Sequence, residues 1–304
     1  MYHYSMIQWL FFFYFYCFFG WIFESAFVSL KSHKFVNRGF MRGPFLPIYG
    51  SGAIMMLVAS MPFQDNIFLT YIAGCIGATA LELVTGIGME ALFKVRYWDY
   101  SNQKFNYKGH ICLSSTIAWG FLTIFMTEFL HKGVEKIIFL IPALTVSVVT
   151  VIVTVYIIID FTLSFKAAMD LRDILVGLEK AKQEMERIQK RLDVIIAVAH
   201  EEREMWKLEN SMRIDDLMES IEERFGAFKE RIKINPSEFV DDVREEMIEL
   251  RSRYMVEKEH RLQFKRLKDF YQRALIKGNP TMYSKRFEEA LEELKKAANE
   301  RRKK

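Results

Sequence analysis

Metal and thiol chemistry have little to work with in this chain. It has three cysteines and six histidines. Cys17, Cys75 and Cys112 each lie in an apolar run, no Cys-x-x-Cys pair occurs, and no Cys/His cluster has zinc-ligand spacing. The cysteines read as buried packing thiols, and no metal or other cofactor is expected. The nucleotide-binding pattern G-x-x-x-x-G-K-[ST] is missing. So are a catalytic triad and any pairing of nucleophile with base, which argues against an enzyme. Charge of one sign is also missing. Each half of the chain carries a net charge of +2, so nothing marks a nucleic-acid binder.

Charge itself is scarce at first and then dense. Residues 1–160 hold 18 charged side chains, and residues 161–304 hold 62. That contrast separates a lipid-solvated half from a water-solvated half. A membrane-spanning helix needs about 20 mainly apolar residues. Five segments qualify: 8–30, 44–61, 67–93, 111–130 and 137–161. The first has neither a basic leader nor a small-residue cleavage site, so it reads as a retained span. Lys31, Lys34, Arg38 and Arg42 follow the first segment, and Lys94, Arg96, Lys104 and Lys108 follow the third. The positive-inside rule then puts both loops and the C-terminal half in the cytoplasm, with the N-terminus outside. An odd number of spans gives the same orientation.

Glu24, Glu82 and Glu90 fall inside apolar runs. An ionisable group in a spanning segment is costly unless it is paired, protonated or beside water, which makes it a functional candidate. Glu82 sits on a stripe of small and polar residues, Gly74, Ala78, Glu82, Thr85 and Met89, that would let a second helix approach closely. In the first loop, Arg38 and Arg42 lie among glycines and prolines that suit tight turns or a broken helix lining a cavity. They could pair with Glu24 and Glu90. In the second loop Trp98, Asp99 and Asn106 suit an interfacial or re-entrant segment closing a cavity mouth. Two readings stay open for this set: an ion-pair network that fixes helix positions, or a site for an anionic solute or head group whose carboxylates gate it or relay protons. Glu128 and Asp160, at helix ends, are expected to be wetted.

Beyond the membrane half, Leu171, Ile174, Leu178, Ala181, Met185, Ile188, Leu192, Ile195 and Ala199 alternate at three and four residues, a coiled-coil pattern. A second amphipathic stretch runs from Ile214 to Ile232. Asn235-Pro236 and Gly278-Asn279-Pro280 read as helix breaks. The expectation is an all-α polytopic membrane protein with five transmembrane helices (1–162), a cytoplasmic coiled-coil helix (163–234) and a cytoplasmic helical region (235–304).

Three clusters carry a resemblance: Gly20-Trp21-Ile22-Phe23-Glu24-Ser25; the run from Asn37 through Arg38, Arg42 and Pro44 to Gly50; and Glu82, Glu90, Trp98-Asp99-Tyr100-Ser101, Asn106, Gly109 and Trp119-Gly120. Over roughly residues 10–160 the chain resembles the bacterial membrane family named Putative ABC-transporter type IV, the CmpB-like permeases. The resemblance implies a permease-like component of the bacterial plasma membrane, with any ATPase a separate polypeptide. The rival reading is a membrane scaffold or sensor that recruits a cytoplasmic protein or self-associates through its coiled coil. Membrane lipids are partners in either case.

Overall fold

The structure, a computed structural model, describes residues 4–209, 248–250, 252, 253, 255, 256, 259 and 270–300. Two compact units are present, one built from Met1–Val176 with Arg266–Lys304 and the other from Gly177–Lys265.

The first unit is a bundle of apolar helices. Helix α1, Met6–Ser32, opens on a capping box in which Gln8 N donates to Ser5 Oγ and Ser5 N donates to Gln8 Oε1. It stops at His33, whose left-handed backbone turns the chain away. Helix α2, Pro47–Ser60, has proline in its first turn, where the missing N–H costs nothing. Helix α3, Ile67–Phe93, is capped by Asn66, which accepts from Phe68 N and Leu69 N, and it ends at left-handed Lys94. A short hairpin of β1 (Asn106–Tyr107) and β2 (Ile111–Cys112) leads into helix α4, Leu113–Phe125. A π-helical turn at Met126–Leu130 joins α4 to α5, His131–Phe139. Helix α6 is one continuous helix, Ala143–Glu209. Helices α7 (Phe270–Gly278) and α8 (Glu288–Glu300) pack on each other.

Four helical stretches are long and apolar enough to cross a membrane: Met6–Ser32, Ile67–Phe93, Leu113–Phe139 and Ala143–Arg191. The expected second span is shorter than anticipated. With 14 residues, α2 extends only about 21 Å, against a hydrocarbon core of about 30 Å. Leu46 N donates to Cys17 O at 3.0 Å, near the middle of α1. Residues 34–46 therefore run from the end of α1 back into the bundle as irregular, bent chain, and α2 begins only there. Non-helical backbone at that depth needs protein around it. It has it: Gly43 N donates to the Asp160 carboxylate of α6 at 2.8 Å. A Cβ on Gly43 would collide with Tyr156 and Asp160, so only glycine permits the approach. Asp160 is thus buried and bonded, and not wetted as expected. Glu128 does sit at the surface, paired with Lys132.

The core holds Phe12, Tyr16, Leu57, Ala78, Met126 and Val146. Aliphatic and aromatic side chains also cover the outside of the helices, among them Phe23, Ile76, Val84, Phe121 and Ile152. An apolar exterior of that extent fits lipid as solvent.

In the second unit Leu178, Ala181, Ile188 and Leu250 are buried within a single chain. Leu192, Ile195 and Ala199 of the expected seam lie in α6, but their side chains are outside the described residues. So are the whole stretch from Ile214 to Ile232 and the break at Asn235-Pro236.

Candidate functional site

The embedded carboxylates Glu24, Glu82 and Glu90 all find partners, and each has at least one from a loop. Glu82 lies about three turns inside the C-terminal end of α3 and is 7% exposed. Its neighbours are the Tyr100 hydroxyl at 2.9 Å, Trp119 Nε1 at 2.9 Å and Ser115 Oγ at 3.3 Å. Two of these belong to α4. The third belongs to the loop between α3 and the hairpin, which must fold inward to reach it. That loop rests on Gly86 of α3, where a Cβ would press on His110 and Trp98. The small-residue face expected on α3 is present, but its buried positions are Thr70, Gly74, Ala78, Glu82 and Gly86. A four-residue spacing carries the stripe through Gly86, leaving Thr85 and Met89 half-buried.

Burial foremost, and then the Glu82 carboxylate, push the Tyr100 hydroxyl above its ordinary value of 10.0. It therefore stays a donor at any neutral pH. Tyr100 also lies within electrostatic reach of Glu24 and of Tyr49.

Glu24 is the second centre. Tyr49 of α2 donates to it at 2.6 Å and Arg38 Nε lies 3.3 Å away. The expected pairing of Glu24 with Arg38 is therefore found. The same guanidinium reaches Gly278 O at 3.3 Å, Asn279 Oδ1 at 3.0 Å and Thr281 Oγ1 at 3.4 Å. Asn279 in turn donates to Gly39 O and Leu275 O.

Glu90 takes a different partner from the one expected. Arg96 Nε lies 2.9 Å from it and His110 Nε2 lies 3.1 Å from it. Arg42 instead places its guanidinium over Phe270, 4.1 Å from the ring centroid. The reason is reach: Arg96 is six residues beyond Glu90 on the same turn of chain, whereas Arg42 faces α7.

Trp98, Asp99 and Asn106 hold the second loop in shape. Trp98 Nε1 donates to His110 O. Asp99 accepts from Ser101 N at 3.0 Å and Ser101 Oγ at 2.6 Å. Asn106 donates to Ser101 O and Gln103 O and accepts from Gly109 N.

The segment after α7 was read from sequence only as a break. In the fold it lies between the two loops. Arg96 and Tyr283 exchange backbone hydrogen bonds at 2.7 and 2.9 Å. Thr281 Oγ1 donates to Tyr97 O and Ser284 Oγ to Lys94 O. Asn279 and Met282 are almost fully buried. Nothing local in Gly278-Asn279-Pro280 announces this, because its partners are more than 180 residues away in sequence.

A separate buried polar group surrounds His131, at the start of α5. Tyr16 Oη lies 2.8 Å from Nδ1 and Tyr4 Oη lies 3.1 Å from Nε2, while Tyr4 donates to Glu135 at 2.5 Å. Among the described residues no cluster of His, Cys, Asp and Glu could hold a metal ion.

Helices with apolar exteriors, a loop folded inward and carboxylates bonded within the bundle define a multi-pass helical membrane protein with polar groups in its interior. The chain belongs to the family described as Putative ABC-transporter type IV, whose sequence profile matches residues 11–165. Comparison with curated proteins and with solved structures gives no match.

Proposed function

We propose that the protein is a permease-like component of a membrane transporter that handles an anionic solute or lipid head group. The observation that carries this is the reach of Tyr100 from a loop to Glu82, deep in α3. Glu82, Tyr100, Tyr49, Glu24 and Arg38 then form a polar series from the interior of the bundle to its loop end. Carboxylates placed along such a series suit proton relay or gating, and the loop arginines suit an anion. Trp98, Asp99, Asn106 and Glu90 shape the mouth of the series, and Arg42 stands beside it.

The proposal places the protein in a bacterial plasma membrane with the N-terminus outside and the loop end and C-terminal half in the cytoplasm. The inward segment 34–46 followed by α2 would serve as one passage, making five. The ATPase would be a separate polypeptide, and the chain itself catalyses no reaction. For the stripe beginning at Leu171 we place self-association second to an intrachain helical hairpin, because Leu171, Leu178, Ala181 and Ile188 are buried within one chain. The scaffold or sensor reading draws support from the docking of residues 278–284 on both loops.

Purification in mild detergent with mass spectrometry of bound proteins separates these readings. A stoichiometric ATPase supports the permease. A cytoplasmic signalling or structural protein in its place supports the sensor. Within the permease reading, Glu82→Gln should keep its melting temperature within about 3 °C, since the loss is under one hydrogen bond, yet lose co-purified anionic ligand. Unchanged ligand content in that variant would remove Glu82 from the site.

A further inference from the structure

Beside Arg42 lies a cavity of about 130 Å³, between the inward segment 34–46, α6 and α7. Arg42, Lys277, Asn37 and Ser164 provide its polar lining, and Phe40 and Leu275 are among its apolar walls. Ser164 is the unusual member. Four other hydroxyl side chains of α6 return their proton to the helix: Ser147, Thr150, Thr154 and Thr162 each donate to the carbonyl four residues back, at 2.7 to 2.9 Å. Ser164 is 3% exposed, and its hydroxyl has no hydrogen-bond partner among the described residues. A buried hydroxyl without a partner costs about 1–3 kcal/mol, so its persistence in the wall of a cavity calls for an explanation.

We propose that this cavity binds a phosphate group, with the Ser164 hydroxyl donating to one oxygen and the Arg42 guanidinium and Lys277 ammonium balancing the charge. The proposal rests on the anionic-ligand reading above and gives it a location separate from Glu82. The cavity has room for about four water volumes of ~30 Å³ each, enough for a phosphate group. Arg42 is held in place by its stack on Phe270, so its fork is oriented before a ligand arrives. The Arg38 guanidinium is already engaged by Glu24 and Asn279, whereas the Arg42 guanidinium lies over ring faces in the wall of the cavity. The phosphate can come from an anionic phospholipid or from free phosphate.

The test uses the full chain in detergent with three added probes: phosphatidylglycerol, the phosphate-free lipid diacylglycerol, and inorganic phosphate. Binding is followed by native mass spectrometry and titration, for wild type, Ser164→Ala, Arg42→Gln and Arg42→Lys. Saturable binding of phosphatidylglycerol over diacylglycerol identifies a lipid source, and binding of inorganic phosphate alone identifies a free one. In either case Ser164→Ala should weaken binding about tenfold, the loss of one charge-assisted hydrogen bond. Arg42→Gln should weaken it further, and Arg42→Lys should restore part. Ser164→Ala removes only a hydroxyl with no partner, so its melting temperature should not fall, and binding remains measurable if Arg42→Gln misfolds. Wild-type affinity in Ser164→Ala, equal retention of the two lipids without phosphate binding, or no binding of any probe would each overturn the proposal. None of those results bears on ATPase co-purification or on Glu82→Gln, so the broader reading stands or falls separately.

Discussion

At the scale of single residues, Glu82 shows how a carboxylate persists among apolar helices. Trp119 Nε1–H can only donate, while the Tyr100 and Ser115 hydroxyls can turn to donate or accept. A glutamine at 82 can therefore face its oxygen to Trp119 and its amide to a hydroxyl, whereas a leucine leaves the indole N–H buried without a partner. Glu82→Leu should lower stability by about 2 kcal/mol more than Glu82→Gln, read by thermal unfolding in detergent. Tyr100 offers a pH signature. Its proton is held more tightly in the folded chain, so the stability it contributes is complete below its ordinary value of 10.0 and falls as pH rises above that. Tyr97, pushed up chiefly by burial, acts in the same direction. Melting temperature should therefore drop between about pH 10 and 11, and Tyr100→Phe should make that drop shallower while starting from a lower value at pH 8.

At the scale of elements, the loop segments and the chain after α7 support one another. Asn279 bridges Arg38, Gly39 and Leu275. Asn279→Ala should cost about 3 kcal/mol, since it leaves two buried carbonyls and part of a guanidinium without partners. The cost should appear as faster proteolysis within residues 270–300 together with a lower melting temperature. Gly43→Val tests the inward segment. Its side chain would displace Tyr156 and Asp160, so the variant should fold poorly, and normal expression with an unchanged melting temperature would refute the inward path. These elements were only partly legible in the sequence. Proline at the start of α2 and glycines around Arg38 pointed to a broken helix, and the glycine stripe on α3 located a close helix contact. The choice of Arg96 over Arg42 for Glu90 could not be read, because both are basic loop residues and only the path of the backbone distinguishes them.

At the scale of the whole molecule, orientation and assembly are the open predictions. A cysteine at Ser101, in a background without the three native cysteines, should react with a membrane-impermeant reagent only after permeabilisation. Reaction from outside in intact cells would reverse the proposed orientation. For assembly, Leu178→Asp places a charge at a position already buried in one chain. Light scattering of the full chain should find its mass unchanged while thermal stability falls by about 3 kcal/mol. A drop in mass with stability retained would instead identify a seam between copies.

Read alone, the sequence revealed the long apolar helices, the family and the carboxylates set among apolar residues. The helices and their carboxylates follow from composition and short-range periodicity, which act within a window of about 20 residues, and the family from the resemblance of the motif clusters. Tertiary structure alone decided that residues 34–46 turn inward, that Asp160 is buried against Gly43, that Tyr100 reaches Glu82, and that residues 278–284 join both loops. Each of those depends on groups brought together from distant parts of the chain. Their hydrogen bonds become favourable only where packing has removed water, a condition that no local stretch of sequence specifies.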